Sequence, residues 1–385
     1  MTEIDILSKL VSFPVLGGES NLEIIHWIKD YVESHGITTT LVPNKNGDKA
    51  SLHCRIGPAV DGGVILSGHT DVVPVEGQEW STNPFELIDK GDGNLYARGS
   101  CDMKGFVACC LAALPDMVKA DLKKPIYFAF SYDEEVGCLA APELIEHIQK
   151  TYSEEAQYAI IGEASMMHPI IGQKGIYIMD VYVNGSAGHS SRIKQEVSAI
   201  HEAAKLIVWI ENKMDDLISK NSDDRFQPPH SSLHVGQMKG GIAANVIADQ
   251  AWFTLDIRII PKDDLEAIIS DFTAFCRQRE ELLHPIFPDF KIEIKENHPP
   301  VPPLDASADS KIVKTIGELT GNYEWSTVAY AAEAGQFANG GYECVICGPG
   351  SISMAHRADE YVSKQQLTEC VQMIRKLAHK LSDQF

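Results

Sequence analysis

The sequence predicts an α/β protein: a mostly parallel sheet flanked by helices, with a smaller β-α-β-β-α-β unit inserted into it. Three observations carry this expectation. Continuously apolar runs at residues 51–56, 64–67, 126–131 and 158–161 are separated by helical segments, the pattern of strands buried on both faces. From residue 176 the pattern changes to alternating, half-buried strands and two long helices. The chain has 385 residues, more than a single core usually supports, so two domains are expected.

Taken in order, Ser20 and Glu23 form a capping box for a helix whose buried face carries Leu22, Ile25, Ile28 and Val32, and Gly36 ends it. A helix over 105–118 separates two of the apolar strands. In the inserted part, strands are expected at 176–183, 232–239, 251–260 and 290–295, with helices at 197–218 and 263–281, the order of a ferredoxin-like unit. The run HPPVPP, residues 298–303, reads as a stiff linker unable to continue helix or sheet. Residues 306–385 return to the earlier alternation. The expected division is therefore 1–175 with 299–385 as one domain and 176–298 as the insert.

Hydrophobic residues make up 44% of the chain, ample for a packed core. The formal charge is −21, which opposes binding to nucleic acid or to anionic membrane surfaces and suits a small, cationic substrate. Nine cysteines lie mostly in apolar runs and read as buried thiols of a reducing compartment; Cys344 and Cys347, spaced as C-x-x-C, enclose Val345 and Ile346 and read as strand interior rather than a metal pair. The N-terminal MTEIDILSKLVSF carries acids and no long apolar stretch, so neither a signal peptide nor a membrane span is expected, and the expected location is cytoplasmic.

Five residues able to bind metal stand where strands give way to loops: His69, Asp102, Glu135, Glu163 and His356. Two imidazoles and three carboxylates could hold two divalent ions about 3.5–4 Å apart, one carboxylate bridging and a water shared between them. Glu134, beside Glu135, would remain free to accept the proton of that water. Asp71, two residues beyond His69, could take the second ring N–H and fix the tautomer. Each residue alone has a plainer reading: a surface turn for His69, a helix cap for Asp102 or Glu163, an exposed acidic loop for Glu134 and Glu135, a solvent-facing histidine for His356. The set carries the argument.

The segments GHTDVVPV, LYARGSCDMKG, DEEVG, IGEAS, GSAGHSS, GGIAANVI, LDIR and GPGSISMAHRADEY, together and in this order, resemble the di-zinc metallopeptidases and deacylases. Within that family GQEWSTNPFEL, HPPVPPL and GPGSISMAHRADEYV are most similar to the acetylornithine deacetylase branch. The resemblance implies His69 and Glu163 on one zinc ion, or cobalt, Glu135 and His356 on the other, Asp102 bridging, and Glu134 as general base and acid. It further implies that the insert is a lid and homodimer surface, that His189 steadies an oxyanion, and that Asn245 and Arg258 contact the substrate, the guanidinium gripping its α-carboxylate. Glu333 either meets a cationic substrate side chain or starts a helix. The implied reaction is hydrolysis of an Nα-acyl-L-amino acid, N-acetyl-L-ornithine foremost; N-acetylcitrulline, succinyl-diaminopimelate and dipeptides are alternatives, as is a non-catalytic binding protein. The chain departs from the family pattern at Ala164, Glu196 and Ala332, which bears on the lid loop and on side-chain preference.

Overall fold

A computed structural model describes residues 1–383, which form two compact units. The first comprises Met1–Gln173, Leu304–Thr327 and the segment from Ala332 onward; the second comprises Lys174–Pro303 with Val328–Ala331.

The first unit is built on a nine-stranded sheet. Its four central strands, Ile126–Ser131, Gly63–His69, Ala156–Ala164 and Glu343–Gly348, lie side by side in that order and run parallel. Every residue of the first two is buried, so both faces of the sheet are covered, as continuous apolar runs require. The helix Lys104–Lys119 is buried along almost its whole length and packs against Glu3–Val11 and Lys364–Asp383. Toward both edges the strands are antiparallel: Ala50–Ile56 and then Thr39–Pro43 on one side, Ile170–Gln173 and Leu304–Asp305 on the other. Strand direction depends on how the connection returns, and a short turn from Pro43 to Ala50 can only make a hairpin.

The second unit is a four-stranded antiparallel sheet in the order Ser232–Gly240, Gln250–Ile259, Gly175–Asn184, Lys291–Glu296, with the helices Ala199–Lys220 and Leu265–Leu283. The two inner strands alternate strictly between buried and half-exposed residues, and Met179, Val181, Phe253, Leu206 and Phe272 share a separate core.

Three local expectations need correction. The helix Leu22–Ser34 has Asn21 at its N-cap and no side-chain cap bond; Ser20 instead donates to the Asp48 carbonyl, and Asn21 is drawn into paired hydrogen bonds with Ala50. The proline-rich run does join a ladder, because Val301 keeps its N–H and exchanges hydrogen bonds of 2.9 and 3.0 Å with Ile176. Ser232–Gly240, expected to alternate, is an edge strand exposed over most of its length. All nine cysteines are buried and unpaired, with Cys344 and Cys347 inside a central strand. Among the described residues no helix is long and apolar enough to cross a membrane.

Candidate metal centre

Parallel strands present their carboxyl ends at one edge of the sheet, and the candidate ligands stand there. His69 ends its strand in register with Ser131; Glu134 and Glu135 follow Ser131 after a short turn; Glu163 lies near the end of Ala156–Ala164; His356 follows Glu343–Gly348. Asp102 is not a helix cap, since Met103 holds that position, and Glu163 lies within a strand. Two glycines permit the strand ends to close up. A Cβ on Gly348 would fall 2.0 Å from the Gly162 carbonyl oxygen, and one on Gly162 would fall 2.0 Å from the Phe106 ring.

The side chains meet around Asp102. His69 Nε2 lies 3.1 Å from Asp102 Oδ1, 3.7 Å from Glu163 Oε1 and 4.0 Å from Glu134 Oε2. His356 Nε2 lies 3.3 Å from Asp102 Oδ2 and 3.1 Å from Glu135 Oε2. Each imidazole therefore faces a different oxygen of one carboxylate. Two overlapping donor groups, His69 with Asp102 and Glu135 and His69 with Glu134 and Glu163, have ligand atoms mutually within 4.8 Å. Glu134 sits as near to His69 as a ligand would, yet its Oε1 accepts from the Cys138 thiol at 3.2 Å, leaving Oε2 turned to the cluster.

Surrounding groups hold this geometry. Because a carbonyl only accepts, the 2.9 Å contact between His69 Nδ1 and the Asp71 main-chain oxygen places a proton on Nδ1 and directs the Nε2 lone pair inward. The Asp71 carboxylate, expected to orient His69, is 3.6 Å from Nδ1; its oxygens instead accept from the backbone N–H groups of Glu134 and Glu135, each at 3.2 Å. Orientation of the ring thus falls mainly to the Asp71 carbonyl, while its carboxylate aims the two glutamates. Asp133, at φ 55°, accepts from Gly18 N–H and pairs with the buried Lys49 at 2.6 Å, which keeps that turn in a left-handed conformation. His356 is likewise left-handed, at φ 60°.

Four carboxylates and the buried His69, with the partly exposed His356 beside them, repel and attract strongly. Burial, reinforced by neighbouring carboxylates, raises the Glu134 and Glu163 carboxyls well above the usual range and lifts Glu135 to about 7. Asp102 goes the other way: burial opposes ionisation, but hydrogen bonds from His356 and His69 hold it below the ordinary value. Hydrogen bonds to Asp102 and Glu135 raise His356 to about 10; His69 is raised despite its burial by Asp102 and Asp71, with the charges of Glu134 and Glu163. Such a site calls for positive charge. Its oxygen and imidazole donors, on opposed faces of a shared carboxylate, fit a pair of divalent cations.

Of the remaining sequence candidates, His189, Asn245 and Arg258 belong to the second unit and Glu333 to the first. His189 is exposed, with Nδ1 2.8 Å from the Ser191 hydroxyl; Asn245 is exposed and its carbonyl accepts from Ser190 N–H. The Arg258 fork is engaged by Asp256 at 2.8 and 3.1 Å. Glu333 is 1% exposed and stands at the N-cap of Ala334–Asn339 without a capping bond, its Oε2 3.4 Å from the Ser67 hydroxyl. Burial raises its carboxyl, and it interacts electrostatically with His69, Asp71 and Glu134. Reading the sequence did not find Gln78, Arg98 or Glu360, which tie the Asp102 and His356 loops together; a buried pair 262 positions apart leaves no mark in local pattern.

The parallel sheet and the clustered donors define an α/β protein with a metal-binding centre at the sheet edge. The chain belongs to peptidase family M20/M25/M40, whose model matches residues 65–380, and is a metal-dependent hydrolase of amide bonds. It is 32% identical over 379 residues to an acetylornithine deacetylase of Myxococcus xanthus, covering 97% of this chain and 96% of that protein. It is 31% identical to an acetylornithine deacetylase of Aliivibrio salmonicida, covering 94% and 92%. In fold it matches an M20 family metallo-carboxypeptidase of Sulfolobus solfataricus at TM-score 0.76 and 18% identity, covering 99% of both chains. A dinuclear metal-binding M20 peptidase of Bacillus subtilis matches at TM-score 0.65 and 17% identity, covering 98% of this chain and 96% of that one.

Proposed function

We propose that the protein removes the acyl group from an Nα-acyl-L-amino acid, N-acetyl-L-ornithine foremost, releasing the free amino acid and a carboxylate. The observation that carries this reading is Asp102 held between His69 and His356, with Glu134 Oε2 turned toward the same cluster. His69, Asp102 and Glu163 would hold one ion and His356, Asp102 and Glu135 the other, zinc or cobalt suiting the donor set. Ions bound there would supply Lewis acidity to the carbonyl and would lower the pKa of a bound water.

Within that reading each residue has a task. Glu134 Oε2 takes the proton of the attacking water and later hands it to the leaving nitrogen. Asp71 keeps Glu134 and Glu135 at a constant spacing through their backbone N–H groups. The roles implied by the family resemblance for His189, in oxyanion stabilisation, and for Asn245 and Arg258, in substrate contact, belong to this proposal. A substrate carboxylate would have to displace Asp256 from the Arg258 fork. The proposal also makes the protein a homodimer through the second unit, where the exposed edge strand Ser232–Gly240 offers unpaired backbone groups. The sequence likeness to acetylornithine deacetylases over nearly their full length supports the choice of substrate.

The test is a panel of N-acetylornithine, N-acetylcitrulline, succinyl-diaminopimelate and dipeptides, with metal content measured on the same sample. N-acetylornithine should give the highest kcat/KM. Preferential turnover of dipeptides would replace deacylation with peptidase activity, and a metal-loaded sample inert toward the whole panel would overturn the enzymatic reading.

A further inference from the structure

We propose that the buried Arg98–Glu360 pair, acting through Gln78, is a positioning device that sets the separation of Asp102 and His356 and thereby the affinity of the metal on the His356 side. This rests on the reading that His356, Asp102 and Glu135 hold one of two ions.

Arg98 and Glu360 are 1% and 0% exposed, and Arg98 Nη1 lies 2.7 Å from Glu360 Oε2. Charges so buried are costly unless paired and hydrogen-bonded; here both Glu360 oxygens and both Arg98 Nη groups have partners, while Arg98 Nε has no hydrogen-bond partner. Glu360 Oε1 accepts from the backbone N–H of Cys101 at 2.9 Å and of Asp102 at 3.1 Å. Arg98 Nη1 also donates to the Arg357 carbonyl at 3.3 Å, and Nη2 to Gln78 Oε1 at 2.6 Å. Gln78 Nε2 in turn donates to the His356 carbonyl at 2.9 Å. Trp80 covers the guanidinium, its ring 5.0 Å away, and its Nε1 donates to the same Gln78 oxygen.

One ion pair thus grips the backbone at Asp102 on one side and at His356 on the other. The grip on His356 has a definite object, since this residue stands in a left-handed conformation that is costly without support. Its side chain is 54% exposed, so packing does little to place the ring, and the hydrogen bond to its carbonyl has to. His69 needs no such aid: its strand and the Asp71 carbonyl already place it. The device therefore acts on one metal position more than on the other.

Gln78→Met removes the link to His356 and keeps the Arg98–Glu360 pair, while taking the acceptor from Arg98 Nη2 and Trp80 Nε1; comparing the two metal sites separates the positioning role from that loss of stability. Metal-free protein is titrated with Co(II), followed by visible absorption and by calorimetry. Wild type should bind two ions; Gln78→Met should weaken one of them by about 10- to 100-fold and leave the other unchanged, with a lowered metal-free melting temperature that a purely structural role would pair with equal weakening of both. The weakened step should be the one that His356→Ala abolishes, and in the His356→Ala background Gln78→Met should have no further effect. Glu360→Gln, if it folds, should weaken both steps, because Asp102 is shared. Gln78→Met with wild-type affinities, or with both weakened alike, would overturn the inference alone; a wild type that takes up no cobalt would overturn the metal reading and this inference with it.

Discussion

Removing divalent cations should make the stability of this protein fall as pH rises through neutrality. The Glu135 carboxyl, raised by burial and by Asp102, moves from 4.5 to about 7. A folded-state pKa above the unfolded one means that the folded state binds more protons between the two values. The stabilisation is therefore complete below pH 4.5 and lost as pH rises through about 7. The difference, 7 minus 4.5, is about 2.5 units, or about 3 kcal/mol. Glu134 and Glu163 are shifted in the same direction and add to the slope. His356, raised from 6.5 to about 10, has the same sign and loses its contribution between those values, which steepens the fall above pH 6.5. Asp102 has the opposite sign, yet its window lies below its ordinary value of 3.8, outside this range. In a unit of this size each kcal/mol moves the melting midpoint by about 2–4 °C, so Glu135 alone should account for about 6–12 °C. Thermal melts followed by circular dichroism, in chelator from about pH 5 to 8 and again with zinc or cobalt, measure this; the metals bind deprotonated ligands and should flatten or reverse the slope. Glu135→Gln should flatten it in chelator. A metal-free midpoint that rises or stays level over this range would refute the electrostatic account of the cluster.

Further outcomes follow from the same geometry. Glu134→Gln should lower kcat by about 10²- to 10⁴-fold with metal content unchanged, measured by steady-state kinetics beside elemental analysis. Asp71→Asn sets an amide N–H against one of the two backbone donors it now accepts from, and should cost about 10- to 100-fold in activity or metal affinity. Gly162→Ala would drive a methyl to 2.0 Å from the Phe106 ring, which is fully buried and has nowhere to go; a loss of about 3 kcal/mol or more in chemical denaturation is expected, with weakened metal binding at the adjacent Glu163. Chelation should abolish hydrolysis and added zinc, cobalt or manganese restore it, read as activity against metal added.

Much of the fold was legible because period and burial are local properties. The apolar runs that became the central parallel strands, and the strict alternation of Gly175–Asn184 and Gln250–Ile259, are written residue by residue. The candidate ligands were legible for a related reason: His69 and Glu163 stand at or beside the last residue of a strand, Glu134 and Glu135 just beyond one, and a parallel sheet brings strand ends to one edge. The antiparallel edges, the pairing of Val301 with Ile176 and the exposure of Ser232–Gly240 were not legible, since they depend on where a segment finds its neighbour.

By itself, then, the sequence determined the element types, the donor residues and the acid left beside them, because these follow from chemistry carried by each residue and its near neighbours. Only the tertiary structure decided that His69 and His356 take opposite oxygens of Asp102, that Asp71 steers the glutamates with its carboxylate and the histidine with its carbonyl, and that Arg98 and Glu360 tie down both loops. Those are contacts between positions far apart in the chain, made by packing and by the demand that every buried charge find a partner, and no local pattern records which partner it will be.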